Sequence, residues 1–163
     1  MPYLNELGVL CALGADQLSV REALVTRGRP VPQPERYLQP GHGSLCALID
    51  APLPQLPETL RSYDCRNNRL AIAALEQMRP ALDAAIQRHG AQRIGVVMGT
   101  STSGIDASEA AVRSLALHKH YPDDYHAVQG VLGGLGEFVA RYLGLSGPVS
   151  TLSTACSSSA NAM

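Results

Sequence analysis

Three observations predict an α/β protein. Residues 66–89 carry apolar side chains at helical spacing and lead into Arg93-Ile94-Gly95-Val96-Val97-Met98, an almost continuously apolar run typical of a strand buried on both faces. A second helical pattern over 128–143 leads through Gly147-Pro148 into another strand, Val149-Ser150-Thr151-Leu152-Ser153. Both strands run into small-residue loops, and in open α/β sheets the ligand crevice lies beyond the carboxyl ends of strands.

The first segment, Leu4 to Leu10, is predicted as a strand entering a turn around Gly14-Ala15-Asp16. A helix follows from about Ser19 to Thr26, with Val20, Ala23 and Leu24 on one face and Gly28 placed to end it. Residues 30–57 hold seven of the 11 prolines, a density that forbids a long helix or a central strand. Within this ordered excursion Ser44 to Ile49 reads as a short strand. The helix over 66–89 buries Leu70, Ala74, Leu75, Met78, Leu82, Ala85 and Ile86; Pro80 kinks or splits it and Gly90 closes it. After the strand at 93–98, Ser103 with Asp106 suits a capping box for a helix beginning near Ile105. In the helix at 128–143, Gly133, Gly134 and Gly136 each cost about 1 kcal/mol relative to alanine, which points to close backbone approach. Gly144 stops it.

With 163 residues, 45% apolar and 17% charged, the chain has the length and composition of one globular domain with a core, and disorder is excluded for its bulk. Thirteen basic against 14 acidic residues give a net charge of −1, without the footprint that nucleic-acid binding needs. No apolar run approaches the roughly 20 residues that span a bilayer, and the first residues lack a signal-peptide pattern, so a cytoplasmic protein is expected, with no membrane partner. Cys11, Cys46, Cys65 and Cys156 form no C-x-x-C pair, so neither a metal site nor a redox motif is predicted; the first three read as small buried hydrophobes.

Two loops hold the residues with chemical potential. Gly99 to Gly104 has phosphate-loop spacing but is followed by Ile105 and Asp106, where Lys and Ser or Thr are needed; it reads as a small-residue loop admitting another part of the fold. In Ser153-Thr154-Ala155-Cys156-Ser157-Ser158-Ser159, a cysteine at a strand-to-helix turn is lifted into the crevice, where helix amides and dipole favour a thiolate. On spacing alone, a catalytic nucleophile and a buried structural thiol both remain open.

Thr154-Ala155-Cys156-Ser157-Ser158-Ser159, preceded by Gly147-Pro148 and a strand, resembles the active-site signature of elongating beta-ketoacyl-[acyl carrier protein] synthases and polyketide ketosynthase domains. Leu7 to Gly14 resembles that family's opening strand and turn, and Arg93 to Gly104 its strand ending in a glycine- and serine-rich loop. The resemblance implies a thiolase-like layered αβαβα fold, of which residues 1–163 are the N-terminal part, ending seven residues after Cys156. It implies an acyltransferase of fatty acid or polyketide-type synthesis. Cys156 takes an acyl group from an acyl carrier protein as a thioester, and malonyl carrier protein then condenses with it after losing carbon dioxide. No cofactor is implied. The Cys156 amide is expected to supply one oxyanion-hole donor.

The family also uses two histidines, in motifs that His42, His89, His118, His120 and His126 do not match; these five read as surface or structural histidines, and condensation by this chain alone is not expected. His118 and His120, two apart, would not share a helix face as metal ligands. Arg66 and Arg69 fall where related synthases carry basic residues that meet the acidic carrier, although two arginines on a solvated helix face are commonplace. A homo- or heterodimer is expected for the complete protein. The rival readings are a non-catalytic thiolase-like subunit that scaffolds a complete synthase, which typically lacks the cysteine, and a cysteine hydrolase, for which no general base stands near the motif.

Overall fold

The computed structural model describes residues 3–26, 28–30, 32–34 and 45–163. They group into two compact units, Met1–Pro52 with Ala73–Arg79, and Leu53–Ile72 with Pro80–Met163.

In the first unit, residues 4–10 form no strand, contrary to expectation. Their backbone is engaged by side chains instead: Val9 N–H donates to Gln77 Oε1 at 3.1 Å, Gln77 Nε2 donates to Val9 O at 2.9 Å and Ala15 O at 3.0 Å, and Gln17 Nε2 donates to Leu7 O. A carboxamide with a donor and an acceptor reproduces one rung of a sheet at Val9. Helix α1 spans Gln17–Val25 and starts earlier than predicted because Asp16 caps it, its Oδ1 accepting from Ser19 N–H at 2.8 Å. The amide and hydroxyl of Ser19 hold the Asp16 carboxyl below its ordinary pKa. Strands β1 (Pro32–Pro34) and β2 (Leu45–Ala47) pair antiparallel in a two-stranded ribbon, where a proline-containing strand is tolerated because it lies at an edge.

The second unit carries the larger core. The long helical pattern, whose residues 73–79 belong to the first unit, is two helices, α2 (Arg66–Leu75) and α3 (Arg79–His89), with a 3-10 turn at Glu76–Met78 just before Pro80. Proline has no N–H to give the preceding turn and is accommodated in the first turn of α3. Gly90 follows at φ +84°, a conformation glycine adopts without strain.

Strand β3 (Val96–Gly99) precedes helix α4 (Ile105–His118), helix α5 (Gly134–Leu143) and strand β4 (Val149–Leu152). β3 and β4 pair in parallel, from Val96 opposite Val149 to Gly99 opposite Leu152. β3 is not buried on both faces among the described residues: Val96 is 6% exposed and Val97 52%. α5 begins six residues later than predicted, because Ala127–Gln129 forms a separate 3-10 turn and Val131 and Leu132 are exposed. Two of its three glycines meet close neighbours. A Cβ at Gly134 would lie 2.5 Å from Val128 O, and one at Gly136 2.5 Å from Thr151 Oγ1 and 3.0 Å from Val149, so α5 packs directly against β4. Gly133 faces open space, so close approach does not explain it. Gly144 ends α5 in the left-handed region, as expected. The core centres on Phe138, fully buried, with ring centroids 5.9 Å from Tyr63 and 6.1 Å from Tyr142.

Among the described residues no helix is long and apolar enough to cross a membrane. Replacing Phe138 with alanine removes the centre of this core. A loss of about 3–5 kcal/mol is expected, read as a lower urea midpoint with an unchanged m-value.

Candidate functional site

The parallel pairing brings the carboxyl ends of β3 and β4 to the same edge, extended by Thr100 N–H donating to Leu152 O at 3.0 Å. Two small-residue loops leave this edge side by side, and Ser101 Oγ joins them by donating to Ala155 O at 2.8 Å. After β4 the chain makes a 3-10 turn at Ala155–Ser157 and enters helix α6, Ser158–Ala162. Ala155 sits at φ +51°, left-handed for a residue with a Cβ, and Cys156 beside it is exposed.

Serine and threonine hydroxyls hold this turn. Thr154 N–H donates to Ser158 Oγ at 2.9 Å, and Ser158 Oγ shares its proton between Ala155 O at 2.6 Å and Thr100 O at 3.2 Å. Ser158 is only 2% exposed, so one hydroxyl joins the end of β3 to both ends of the turn. Ser157 Oγ donates to Thr154 O at 2.8 Å, and Asn161 Nδ2 donates to Thr154 Oγ1 at 2.8 Å. Gly99 makes the approach possible: a Cβ there would stand 2.5 Å from Ser158 O. The loop from Gly99 to Gly104 therefore admits another part of the fold, as its composition predicts.

The other end of this loop is fixed differently from expectation. Ser103 does not cap α4; its φ is +49°, and its buried hydroxyl donates to Val131 O at 3.1 Å. The cap position falls to Gly104, whose N–H donates to Gln129 O at 3.1 Å. A Cβ at Gly104 would lie 2.4 Å from that carbonyl and 2.8 Å from Cys65 Sγ. Gln129, which the sequence did not single out, is 3% exposed; its Nε2 donates to Asp64 O at 3.0 Å and Asp124 O at 3.1 Å. Its one local signal is its place three residues after His126, whose N–H donates to Gln129 Oε1 at 3.3 Å.

The cysteines divide by environment. Cys65 is buried, as predicted, and burial pushes its thiol pKa up; Cys11 and Cys46 are half-buried. Arg66 and Arg69 lie on α2, beside an open cleft of about 240 Å³ lined also by Leu53, Asp64, Cys65 and Asp124. Cys156 does not line it. Arg69 is half-buried and forms a two-pronged ion pair, Nε and Nη2 each 2.6 Å from an Asp64 oxygen, which raises its guanidinium pKa further. Arg66 is exposed. His89 ends α3, His118 ends α4, His120 follows α4 and His126 precedes the Ala127–Gln129 turn; His42 lies outside the described residues.

Comparison with known proteins agrees with this geometry. Residues 62–163 match the family described as "Beta-ketoacyl synthase, N-terminal domain". Nodulation protein E of Rhizobium meliloti (strain 1021) is 30% identical over 167 residues, and that of Rhizobium sp. (strain N33) 32% identical over 170 residues. Each alignment covers 98% of this chain and 40% of the relative, so the chain spans about 40% of the length of these proteins. Among solved structures, "Ketosynthase (ApeO) in Complex with its Chain Length Factor (ApeC) from Xenorhabdus doucetiae" aligns with a TM-score of 0.87 and 44% identity, covering 98% of this chain and 41% of that one. The fold is thiolase-like, an α/β arrangement as predicted.

Replacing Ser158 with alanine leaves Thr154 N–H without its buried acceptor. A loss of about 1–3 kcal/mol in chemical denaturation is expected, together with an altered rate of Cys156 alkylation.

Proposed function

The chain belongs to the beta-ketoacyl synthase family, and from that membership we propose that Cys156 is the acyl-accepting nucleophile of an acyl carrier protein-dependent condensation. The observation that carries this reading is an exposed thiol on a left-handed turn at the carboxyl edge of two parallel strands. Exposure lets a thioester reach the sulfur, and the hydroxyl network fixes its backbone before substrate arrives.

In the proposed step the Cys156 thiolate attacks the carbonyl carbon of an acyl thioester on the carrier. The tetrahedral oxyanion collapses by expelling the carrier thiolate, and the acyl group remains as a thioester on Cys156. The Cys156 amide serves as one donor to the oxyanion. Malonyl carrier protein then loses carbon dioxide, its carbanion attacks the acyl carbonyl, and the Cys156 thiolate departs. In the family that second half needs two histidines in motifs that the five here do not match, so the reading for these 163 residues is the acyl-transfer half.

Carrier docking is assigned to α2. Arg69 is held by Asp64 while Arg66 is exposed, which supports unequal shares: Arg66 meets the carrier's acidic surface and Arg69 shapes the cleft. The ketosynthase from Xenorhabdus doucetiae was solved with its chain length factor, which supports a heterodimer for the complete protein. A purely scaffolding role is the second reading; Cys156 speaks against it.

Iodoacetamide is expected to label Cys156 before Cys65, whose burial and raised pKa slow it. Incubation with an acyl carrier protein thioester should add one acyl mass to the Cys156 peptide, and the Cys156→Ala variant should take up none. Even labelling of all four thiols, or acylation that persists in Cys156→Ala, would sink the assignment. For docking, Arg66→Glu is expected to raise the carrier concentration needed for half-maximal acylation at least fivefold with little change in maximal rate. Arg69→Gln should lower the unfolding midpoint and change that concentration less.

A further inference from the structure

The geometry points to His118 and His120 as a two-imidazole site for a divalent transition-metal ion of the zinc class. Two residues apart on a helix, these side chains would diverge, but α4 ends at His118. Lys119 takes the left-handed conformation, φ +66°, with its N–H donating to Leu115 O at 3.0 Å, and so turns the next residue back. The two rings consequently stand with centroids 6.2 Å apart and planes tilted by 38°. Imidazoles sharing one zinc ion, each nitrogen about 2.0–2.1 Å from the metal, place their centroids roughly 5–6 Å apart. Both rings are exposed, so their side chains have room to adjust.

The surroundings prepare His120 as a ligand. Its Nδ1 lies 3.0 Å from Tyr121 O, and because a carbonyl only accepts, Nδ1 is the donor in that bond and Nε2 is the nitrogen left to face a metal. This is the outer hydrogen bond that orients metal-binding histidines. Ser114 Oγ donates to His120 O at 3.0 Å, tying the residue's backbone to α4. The carboxyl end of a 14-residue helix is the negative pole of its dipole, which favours a cation there. The one cation between the two histidines, Lys119, already uses that pole, its Nζ donating to Ala116 O at 3.1 Å. With two protein ligands, water completes the coordination shell.

Isothermal titration of the full chain with zinc chloride tests the site. One equivalent is expected to bind, with affinity at least tenfold weaker in His118→Ala and in His120→Asn, and unchanged in His89→Ala. Asparagine at 120 retains an N–H for Tyr121 O but lacks the second ring nitrogen, so its loss of binding reads ligation and not folding. No binding by the natural chain, or binding that survives either substitution at full strength, would overturn the proposal.

Discussion

The turn around Cys156 depends on one contact, the backbone of Gly99 lying against the start of α6. Any side chain at 99 would drive a carbon to within 2.5 Å of Ser158 O. With that carbon absent, Ser158 reaches the end of β3, and its hydroxyl links Thr100 O with Thr154 N–H and Ala155 O. The positive φ of Ala155 costs on the order of 1 kcal/mol and persists because these bonds fix the residues around it. A small-residue signature here is thus a packing requirement before it is a chemical one.

Support for the edge comes from below. α5 packs against β4 through Gly136, so Thr151 and Val149 are located by the same helix whose Phe138 fills the core. Polar links extend this rigidity sideways: Gln129 binds the carbonyls of Asp64 and Asp124, and its own carbonyl accepts from Gly104 N–H. Both ends of the Gly99–Gly104 loop are therefore held by buried hydrogen bonds, and Ser101 transmits that order to the residue before Cys156.

Much of this was legible in the sequence because it follows from periodicity and from glycine and proline chemistry. The helical pattern over 66–89 with its break at Pro80, the two strands that run into small-residue loops, and the helix that stops at Gly144 belong to that class. What stayed hidden depends on partners distant along the chain. Ser103 sits where a cap belongs, yet Val131 O, 28 residues away, claims its hydroxyl. Leu4 to Leu10 has the composition of a strand, but Gln77, 68 residues from Val9, supplies the hydrogen bonds a neighbouring strand would have made. The late start of α5 has a related origin: in the separate turn Gln129 binds the carbonyl of Asp64, 65 residues away, as well as the nearby Asp124 O.

The candidate site shows the same division between what is local and what is not. The Cys156 motif is read from six consecutive residues, although Gly99, Thr100 and Ser101 of the neighbouring loop complete the turn that its own serines and threonine begin. The different fates of Arg66 and Arg69, three residues apart on one helix, turn on Asp64, whose carboxylate closes on Arg69 with two bonds of 2.6 Å. A guanidinium committed to a bidentate, half-buried pair loses orientational freedom and much of its outward field. The Arg69–Asp64 pair thus ties α2 to Asp64 just before it, while the Arg66 side chain on the same helix stays exposed.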